Sequence, residues 1–188
     1  MRLVSINQAI ETGNFTSAIK QFKKINPGGL SDREKNLLVN NMKNLIFKTR
    51  DEDNQRNVFV LLKEWQLALP ENIPLKLMLA DIYITEGIYA QAIPLYESIL
   101  AQHPNDYVIL NNLAWSYHQE GDPRALDTAE QAYSSNPNDA PVCDTFGWLL
   151  VQNGKVGQGL ELLERALEID PSNKDIQEHY ELAKAKIH

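Results

Sequence analysis

Two stretches of the chain follow one pattern and decide its fold: "NNLAWSYHQEGDPRALDTAEQAYSSNPND" at residues 111–139 and "CDTFGWLLVQNGKVGQGLELLERALEIDPSN" at residues 143–173. A third copy, "LMLADIYITEGIYAQAIPLYESILAQHPND", precedes them at residues 77–106. Prolines at positions 70, 104, 137 and 171 mark the repeat ends, at separations of 34, 33 and 34 residues. A period of about 20 to 50 residues is typical of proteins that stack one supersecondary unit several times.

Glycines and small residues divide each copy into two helices. Gly87, Gly121 and Gly154 stand where a first helix must end, since glycine adopts a positive φ without a Cβ clash. Short side chains recur once in each helix, at Ala80, Ala114 and Gly147 in the first helices and at Ala92, Ala125 and Gly159 in the second. Helices approach closely only where side chains are short, so these positions predict the contact inside each helical hairpin.

The pattern of the copies resembles the tetratricopeptide repeat. The first half of that repeat has the form large-x-x-Leu-Gly-x-x-Tyr, and its second half has Ala-x-x-x-Phe followed by Pro. The copy at residues 77–106 places Leu79, Ala80, Tyr83, Ala92, Tyr96 and Pro104 in this register. The resemblance implies an all-α fold, a right-handed superhelical solenoid of antiparallel helix pairs. First helices would line the concave face of this solenoid, and second helices its convex face.

The repeat pattern predicts a single domain over residues 1–188. It is predicted to begin with a truncated repeat at residues 1–30 and a divergent repeat at residues 31–72. Three regular repeats follow at residues 73–105, 106–138 and 139–172, and a C-terminal capping helix at residues 173–188. The last helix could instead begin a further repeat. The chain starts inside a repeat pattern, which is compatible with a piece of a longer protein.

Polar residues before the apolar stripes predict where several helices begin. Asn14, Ser31 or Asp32, Asp122, Asp139 and Ser172 are the expected N-caps, with Pro123 as the first helical residue after Asp122. In the divergent repeat, the polar run "RDEDNQRN" at residues 50–57 replaces the glycine turn. This run predicts a longer internal loop there.

Charge is unevenly distributed along the chain. Residues 1–72 carry 11 basic and 8 acidic side chains, net +3, whereas residues 73–188 carry 7 and 17, net −10. The acidic part argues against nucleic acid or an anionic membrane as the partner, because phosphate binding depends on clustered Lys and Arg. It is compatible with ordinary solvation of helix faces or with a partner that has a basic segment. No apolar run reaches the ~18 residues of a membrane span, so we predict no membrane insertion.

The residues that usually carry catalysis or hold a metal form no familiar motif. The single cysteine, Cys143, excludes an internal disulfide and a CxxC pair, and the four histidines lack HxxxH or HExxH spacing. The GxGxxG, GxxxxGK[ST] and GxSxG motifs are absent. We predict that the protein is not an enzyme and uses no cofactor or metal.

The first helices present a candidate binding face. Side chains at i, i+4, i+7 and i+8 share one side of a helix. The predicted partner-binding residues on that side are Leu77, Asp81, Asn111, Trp115, His118, Gln119, Asp144, Trp148 and Gln152. Tryptophan supplies contact area, amides bond peptide groups and carboxylates attract cations, so the face suits a peptide or protein segment with apolar and basic residues. Alternatively, the two tryptophans simply pack between adjacent repeats.

The resemblance does not extend to one known binding mode. Family members that clamp a peptide hold its C-terminal carboxylate with Lys and Arg on the first helices. Here that face carries Asp81, Asn111, Asn112 and Asp144, with Lys76 near a helix start. The chain therefore lacks the pattern of that clamp.

A narrower resemblance covers about residues 73–188. The first helices with "NNLAW" and "DTFGW" and the turn "GDPRAL" are similar to repeats of bacterial envelope proteins, among them the lipoprotein family of exopolysaccharide export and the PEP-CTERM/exosortase system. This resemblance implies an envelope or periplasmic location if the chain is a fragment of such a protein, and a cytoplasmic one otherwise. The sequence thus predicts a non-catalytic protein-interaction scaffold. The alternatives are a self-assembling repeat module that forms homo-oligomers and an envelope component of that export or sorting system.

Overall fold

The computed structural model describes residues 2–186, and side chains from Ser5 onward. These residues form eleven α-helices and one short 3-10 helix (Pro27–Gly29), with no β-strand among them. The α-helices are α1 (Arg2–Glu11), α2 (Phe15–Phe22), α3 (Asp32–Lys48), α4 (Glu52–Ala68), α5 (Ile73–Thr85), α6 (Tyr89–Leu100), α7 (Tyr107–Gln119), α8 (Ala125–Ser135), α9 (Ala140–Gln152), α10 (Val156–Ile169) and α11 (Lys174–Lys184). The predicted all-α fold is confirmed.

The chain divides into two compact units, Met1–Ile82 and Tyr83–His188, and the boundary falls within α5. The single domain and its six predicted parts remain a prediction. Each unit has its own buried side chains.

The first unit is built from α1 to α4 and most of α5. In its core, the ring of Phe22 meets that of Trp65 edge-on, with 5.5 Å between centroids, and both side chains are buried. Gly13 closes α1 at φ 72°, and the Asn14 side chain accepts a hydrogen bond from the Ser17 N–H at 3.2 Å. The predicted N-cap at Asn14 is confirmed.

The link between α3 and α4 differs from the prediction. Only residues 49–51 separate the two helices, so the expected long loop is wrong. The Asp51 carboxylate accepts the Asn54 N–H at 2.9 Å, which caps α4, and this bonding to Asn54 lowers the pKa of Asp51. Most of the polar run lies in the first two turns of α4, because acidic side chains are favourable at a helix N-terminus.

The second unit continues from α5 through α11 with glycine turns. Gly87, Gly121 and Gly154 have φ values of 69°, 68° and 82°, as their positions predict. In this left-handed region a Cβ is disfavoured. The helices are therefore joined by short turns, of three residues at Gly87 and Gly154 and of five at Gly121.

The α9–α10 hairpin packs through two glycines. A Cβ on Gly159 would lie 2.5 Å from the Gly147 carbonyl oxygen, and a Cβ on Gly147 would lie 2.9 Å from that of Gly159. The helix backbones therefore touch at the position that the small-residue pattern predicts. Ala114 and Ala125, at the corresponding places one repeat earlier, are both buried.

The turn before α8 corrects one predicted cap. The helix begins at Ala125 rather than at Pro123, so Asp122 is not its N-cap. The Asp122 carboxylate accepts the Arg124 N–H at 2.9 Å and also pairs with the Arg124 guanidinium at 2.7 Å. That guanidinium donates to Glu97 at 2.8 Å and lies 4.1 Å from the centre of the Tyr117 ring. Asp122 is thus engaged by Arg124, and the helix starts later.

The predicted N-cap of α9 is confirmed, and that of α11 is wrong. Asp139 accepts the Val142 N–H at 3.2 Å and caps α9 as predicted. The cap of α11 is Asn173, which accepts the Asp175 N–H at 3.1 Å, so the assignment to Ser172 is wrong. The Ser172 hydroxyl donates instead to Asp170 at 2.9 Å. This bond one residue earlier turns the chain and leaves Asn173 at the helix start.

Helix α11 is fixed against α9 and α10 by two buried apolar residues. Ile176 packs in one cluster with Ala140, Cys143 and Ala166. Ala183 packs in another with Val151 and Leu163. Since His179 lies three residues after Ile176 and four before Ala183, it shares their side of α11 and faces α9.

Candidate functional site

Helices α7, α9 and α11 of the second unit border an open cleft of about 370 Å³. Six side chains line it: Trp115, Asp144, Thr145, Asp175, Glu178 and His179. We call it the α9 cleft, after the central helix. Three of its six residues are carboxylates, and one is a large aromatic ring that is only half-buried.

Four aromatic rings form a row beside the α9 cleft. The His179 ring stacks on Trp148 with 4.6 Å between centroids and 12° between planes. On its other side, Trp115 lies 5.9 Å from His179, and His118 lies 5.6 Å from Trp115. This aromatic row, Trp148–His179–Trp115–His118, offers half-buried surface to a ligand, because all four residues keep partial exposure.

Asp144 holds the central ring of the row in place. Its two carboxylate oxygens lie 2.9 and 3.0 Å from Nδ1 of His179. Since a carboxylate accepts, the Nδ1 of His179 carries a proton and donates. Asp144 is 8% exposed, so the pair forms where solvent screens little.

His118, at the end of the row, lies close to His179. Burial lowers the pKa of His118, and the neighbouring His179 lowers it further. Both causes disfavour the imidazolium form of His118. Near neutral pH, His118 therefore adds an uncharged ring to the site.

The carboxylates at the mouth of the α9 cleft lie on α11. Asp175 and Glu178 are both exposed. Within the part of the chain whose side chains are described, neither carboxylate has a cation or a side-chain donor as its partner. The mouth of the cleft is therefore negatively charged.

One cation of the chain already lies on the aromatic row. Nζ of Lys186 lies 5.6 Å from the centre of the Trp148 ring and 3.4 Å from Oε1 of Gln152. Such a distance is typical of a cation–π contact. The row is thus able to receive a cationic side chain.

The structure brings together four of the predicted site residues, Trp115, His118, Asp144 and Trp148, in the aromatic row or the α9 cleft. Trp148 also packs against the apolar cluster beneath α11, so it contributes to repeat packing as well. Whether these residues bind a partner remains a prediction.

The other five predicted residues lie outside the α9 cleft. Gln152 contacts Lys186, Gln119 is exposed at the end of α7, and Oδ1 of the half-buried Asn111 has no hydrogen-bond partner. Leu77 and Asp81 belong to the first unit, where Leu77 is half-buried and Asp81 is exposed. Their part in the site also remains a prediction.

Sequence reasoning missed the contribution of α11 to the site. His179, Asp175, Glu178 and also Thr145 were not among the predicted residues, although all four line the cleft. The repeat period could have found one of them, since Glu178 follows Asp144 by 34 residues. His179 has no histidine one period earlier, and only the packing of α11 places it between the tryptophans.

The described residues contain neither a metal-binding cluster nor a membrane-spanning helix. No group of three or more His, Cys, Asp or Glu side chains among them is placed to hold a metal ion. None of the helices in that part of the chain is both long and apolar enough to cross a bilayer.

Helical hairpins joined by glycine turns at a period of 33 or 34 residues define an all-α repeat protein. Three family models, each described as a tetratricopeptide repeat, match residues 76–106, 95–131 and 140–173. Between residues 76 and 173 the chain therefore matches the tetratricopeptide repeat. The implied family is supported, and the bounds of the individual repeats remain a prediction.

Known proteins with this fold resemble the chain at low sequence identity. Small glutamine-rich tetratricopeptide repeat-containing protein 2 of Mycosarcoma maydis is 27% identical over 100 residues, which is 53% of this chain and 28% of that protein. The chain thus spans about a quarter of that relative's length. A tetratricopeptide repeat protein from Parabacteroides merdae has a TM-score of 0.75 at 13% identity, over 99% of this chain and 72% of that one. The first tetratricopeptide repeat domain of Spaghetti (RPAP3), bound to an HSP90 peptide, has a TM-score of 0.52 at 20% identity, over 57% of this chain and 86% of that one.

Proposed function

We propose that the protein is a non-catalytic protein-interaction module that binds a peptide or an extended protein segment in the α9 cleft and along the aromatic row. The observation that carries this proposal is the half-buried Trp115 at an open cleft of about 370 Å³ with three carboxylates. Large rings at the centre of a concave surface are the residues that most often dominate binding energy at protein interfaces.

Contacts among the side chains of the α9 cleft and the aromatic row support a preformed binding site. Asp144 fixes His179, and His179 stacks on Trp148, so the central part of the row is ordered before a ligand arrives. A preformed site avoids part of the entropy that ordering side chains costs on binding. Spaghetti, which shares the fold, holds a peptide of HSP90. Peptide binding is therefore within the reach of this architecture.

A selection of random decapeptides displayed on phage tests the proposal. Peptides selected on the wild-type protein are synthesised, and their Kd is measured for the wild type, for Trp115→Ala and for Leu67→Ala. Leu67 is 75% exposed in the first unit and serves as the matched control. We expect Trp115→Ala to weaken binding about tenfold or more, as removal of a central anchor does, and Leu67→Ala to leave it unchanged. Equal binding to all three proteins, or no selected peptide, contradicts the proposal.

A second candidate function is self-assembly, and the charge distribution favours it. Residues 1–72 have net charge +3 and residues 73–188 have −10, so two copies could attract each other through unlike segments. Raising the salt concentration from ~0.05 to ~0.5 M shortens the screening length about threefold and should dissociate such an oligomer. Light scattering that gives the monomer mass at both salt concentrations removes this candidate.

A role in the bacterial cell envelope is supported only by the narrower sequence resemblance of residues 73–188. The segments "NNLAW" and "DTFGW" support a role in the bacterial envelope, with exopolysaccharide export or PEP-CTERM sorting as the setting. In that setting the protein would be an interaction partner, and any enzyme would be a separate chain.

A further inference from the structure

The chemistry of the α9 cleft restricts what its ligand can be. The cleft carries Asp144, Asp175 and Glu178, and Asp144 already bonds His179. Asp175 and Glu178 remain without a cation or a side-chain donor among the described side chains. A ligand with a carboxylate at this place would meet like charges, whereas a cationic group would find two unpaired acceptors.

An independent contact shows which group the neighbouring rings accept. The ammonium of Lys186 lies over the ring of Trp148, 5.6 Å from its centre, and Oε1 of Gln152 lies 3.4 Å away. Trp115 occupies the place equivalent to Trp148 one repeat earlier, and it lines the cleft. No lysine or arginine is among the residues that line the cleft with Trp115. The chain thus covers one tryptophan of the row with its own cation and leaves the other at an acidic cleft.

The histidines of the row are not bonded to Asp175 or Glu178. Burial favours the neutral form of His118. His179 directs its Nδ1–H to Asp144. A lysine or arginine side chain of a partner is therefore the group that would pair with Asp175 and Glu178.

We propose that the α9 cleft binds a lysine or arginine side chain of the partner, with the aliphatic stem along Trp115 and the cationic head between Asp175 and Glu178. This inference rests on the proposed function and names the chemistry of its partner, a basic segment. Lysine and arginine both suit such a site, because each combines an apolar stem with a charged head. Arginine is expected to bind more tightly, since its planar group stacks on an indole and pairs with carboxylates in a fork.

The composition of peptides selected from the random decapeptide library tests the inference. Selection is carried out on the wild type, on Asp175→Asn/Glu178→Gln and on Glu161→Gln/Glu168→Gln. The last variant removes the same charge from exposed positions of α10 and is the matched control. Both pairs are exposed, so all three proteins are expected to fold, and a thermal melt verifies this.

We expect lysine and arginine to be enriched in the peptides from the wild type and the control, and the enrichment to vanish for Asp175→Asn/Glu178→Gln. The Kd of a basic peptide should rise about three- to twentyfold in that variant, as expected for two partly exposed charge pairs. Replacing the basic residue of the peptide by norleucine should remove this difference between the variant and the wild type.

Three outcomes overturn the inference, and they are distinguishable. Selected peptides that depend on Trp115 but are not enriched in basic residues overturn the cation site and leave the proposed function standing. Basic enrichment that survives in Asp175→Asn/Glu178→Gln as it does in the control shows that the cation binds elsewhere. Failure to select any peptide that depends on Trp115 overturns the proposed function and the cation site together.

Discussion

The carboxylate of Asp144 contacts Nδ1 of His179 at 2.9 Å, although 35 residues separate them in the sequence. This contact joins α9 to α11 and places an imidazole between two tryptophans. Both side chains are largely covered, with side-chain exposures of 12% for Asp144 and 16% for His179. The site therefore depends on α11 as much as on the two regular repeats before it.

Replacing His179 by alanine should destabilise the second unit. The substitution leaves the covered carboxylate of Asp144 without its donor and removes the ring stacked on Trp148. An unsatisfied buried acceptor costs about 1 to 3 kcal/mol. Urea denaturation measures the free energy of unfolding. His103→Ala, at an exposed position, is the control and should leave it unchanged. Equal stability of the two variants would show that the pair contributes nothing.

The glycine contact of the α9–α10 hairpin predicts a contrast between neighbouring substitutions. Gly159→Ala should destabilise the protein by about 1 to 3 kcal/mol through overpacking, because its Cβ would lie 2.5 Å from the Gly147 carbonyl oxygen. Gly157→Ala, two residues earlier in α10, would place its Cβ in open space and should stabilise the helix by up to about 1 kcal/mol. Both are measured by chemical denaturation. A harmless Gly159→Ala contradicts the close approach of the two backbones.

The lowered pKa of His118 predicts a specific loss of stability in acid. In the unfolded chain His118 titrates near 6.5, whereas in the folded protein its pKa lies lower because of burial and His179. The unfolded state therefore binds the proton first, and stability present above pH 6.5 is lost as the pH falls through the folded pKa.

The comparison of wild type with His118→Gln isolates this effect. Between about pH 7.5 and pH 5 the wild type should lose more free energy of unfolding than the variant does, because glutamine does not titrate. Denaturation curves at each pH measure the difference. Parallel losses in the two proteins would contradict the prediction, and His103→Gln should parallel the wild type.

Many turns and helix caps were predictable because they depend only on residues that are close in the sequence. The turns at Gly87, Gly121 and Gly154 were predictable because a positive φ favours glycine wherever it occurs. The cap of α9 was predictable because Asp139 bonds the backbone three residues on. The role of Asp122 was not predictable, because its carboxylate bonds Arg124. The guanidinium of Arg124 also donates to Glu97, which lies on α6.

The site was only partly predictable for a related reason. Trp115 and Trp148 recur in the repeat, so their shared face could be inferred from spacing alone. His179 does not recur, and its place between them depends on how Ile176 and Ala183 seat α11 on the preceding hairpin. That packing is a tertiary property. The repeat period gives the register of α11 but not the contacts of its side chains.

The central claim is that a partner segment binds at the aromatic row, and indole NMR of ¹⁵N-labelled protein tests it most directly. The three tryptophans give three indole N–H signals, and Trp65 is buried against Phe22 in the first unit as an internal reference. On titration with a selected basic peptide, we predict that the Trp115 and Trp148 signals shift in a saturable way while that of Trp65 stays in place. A peptide that binds with the same Kd and leaves the Trp115 and Trp148 signals unmoved contradicts the account.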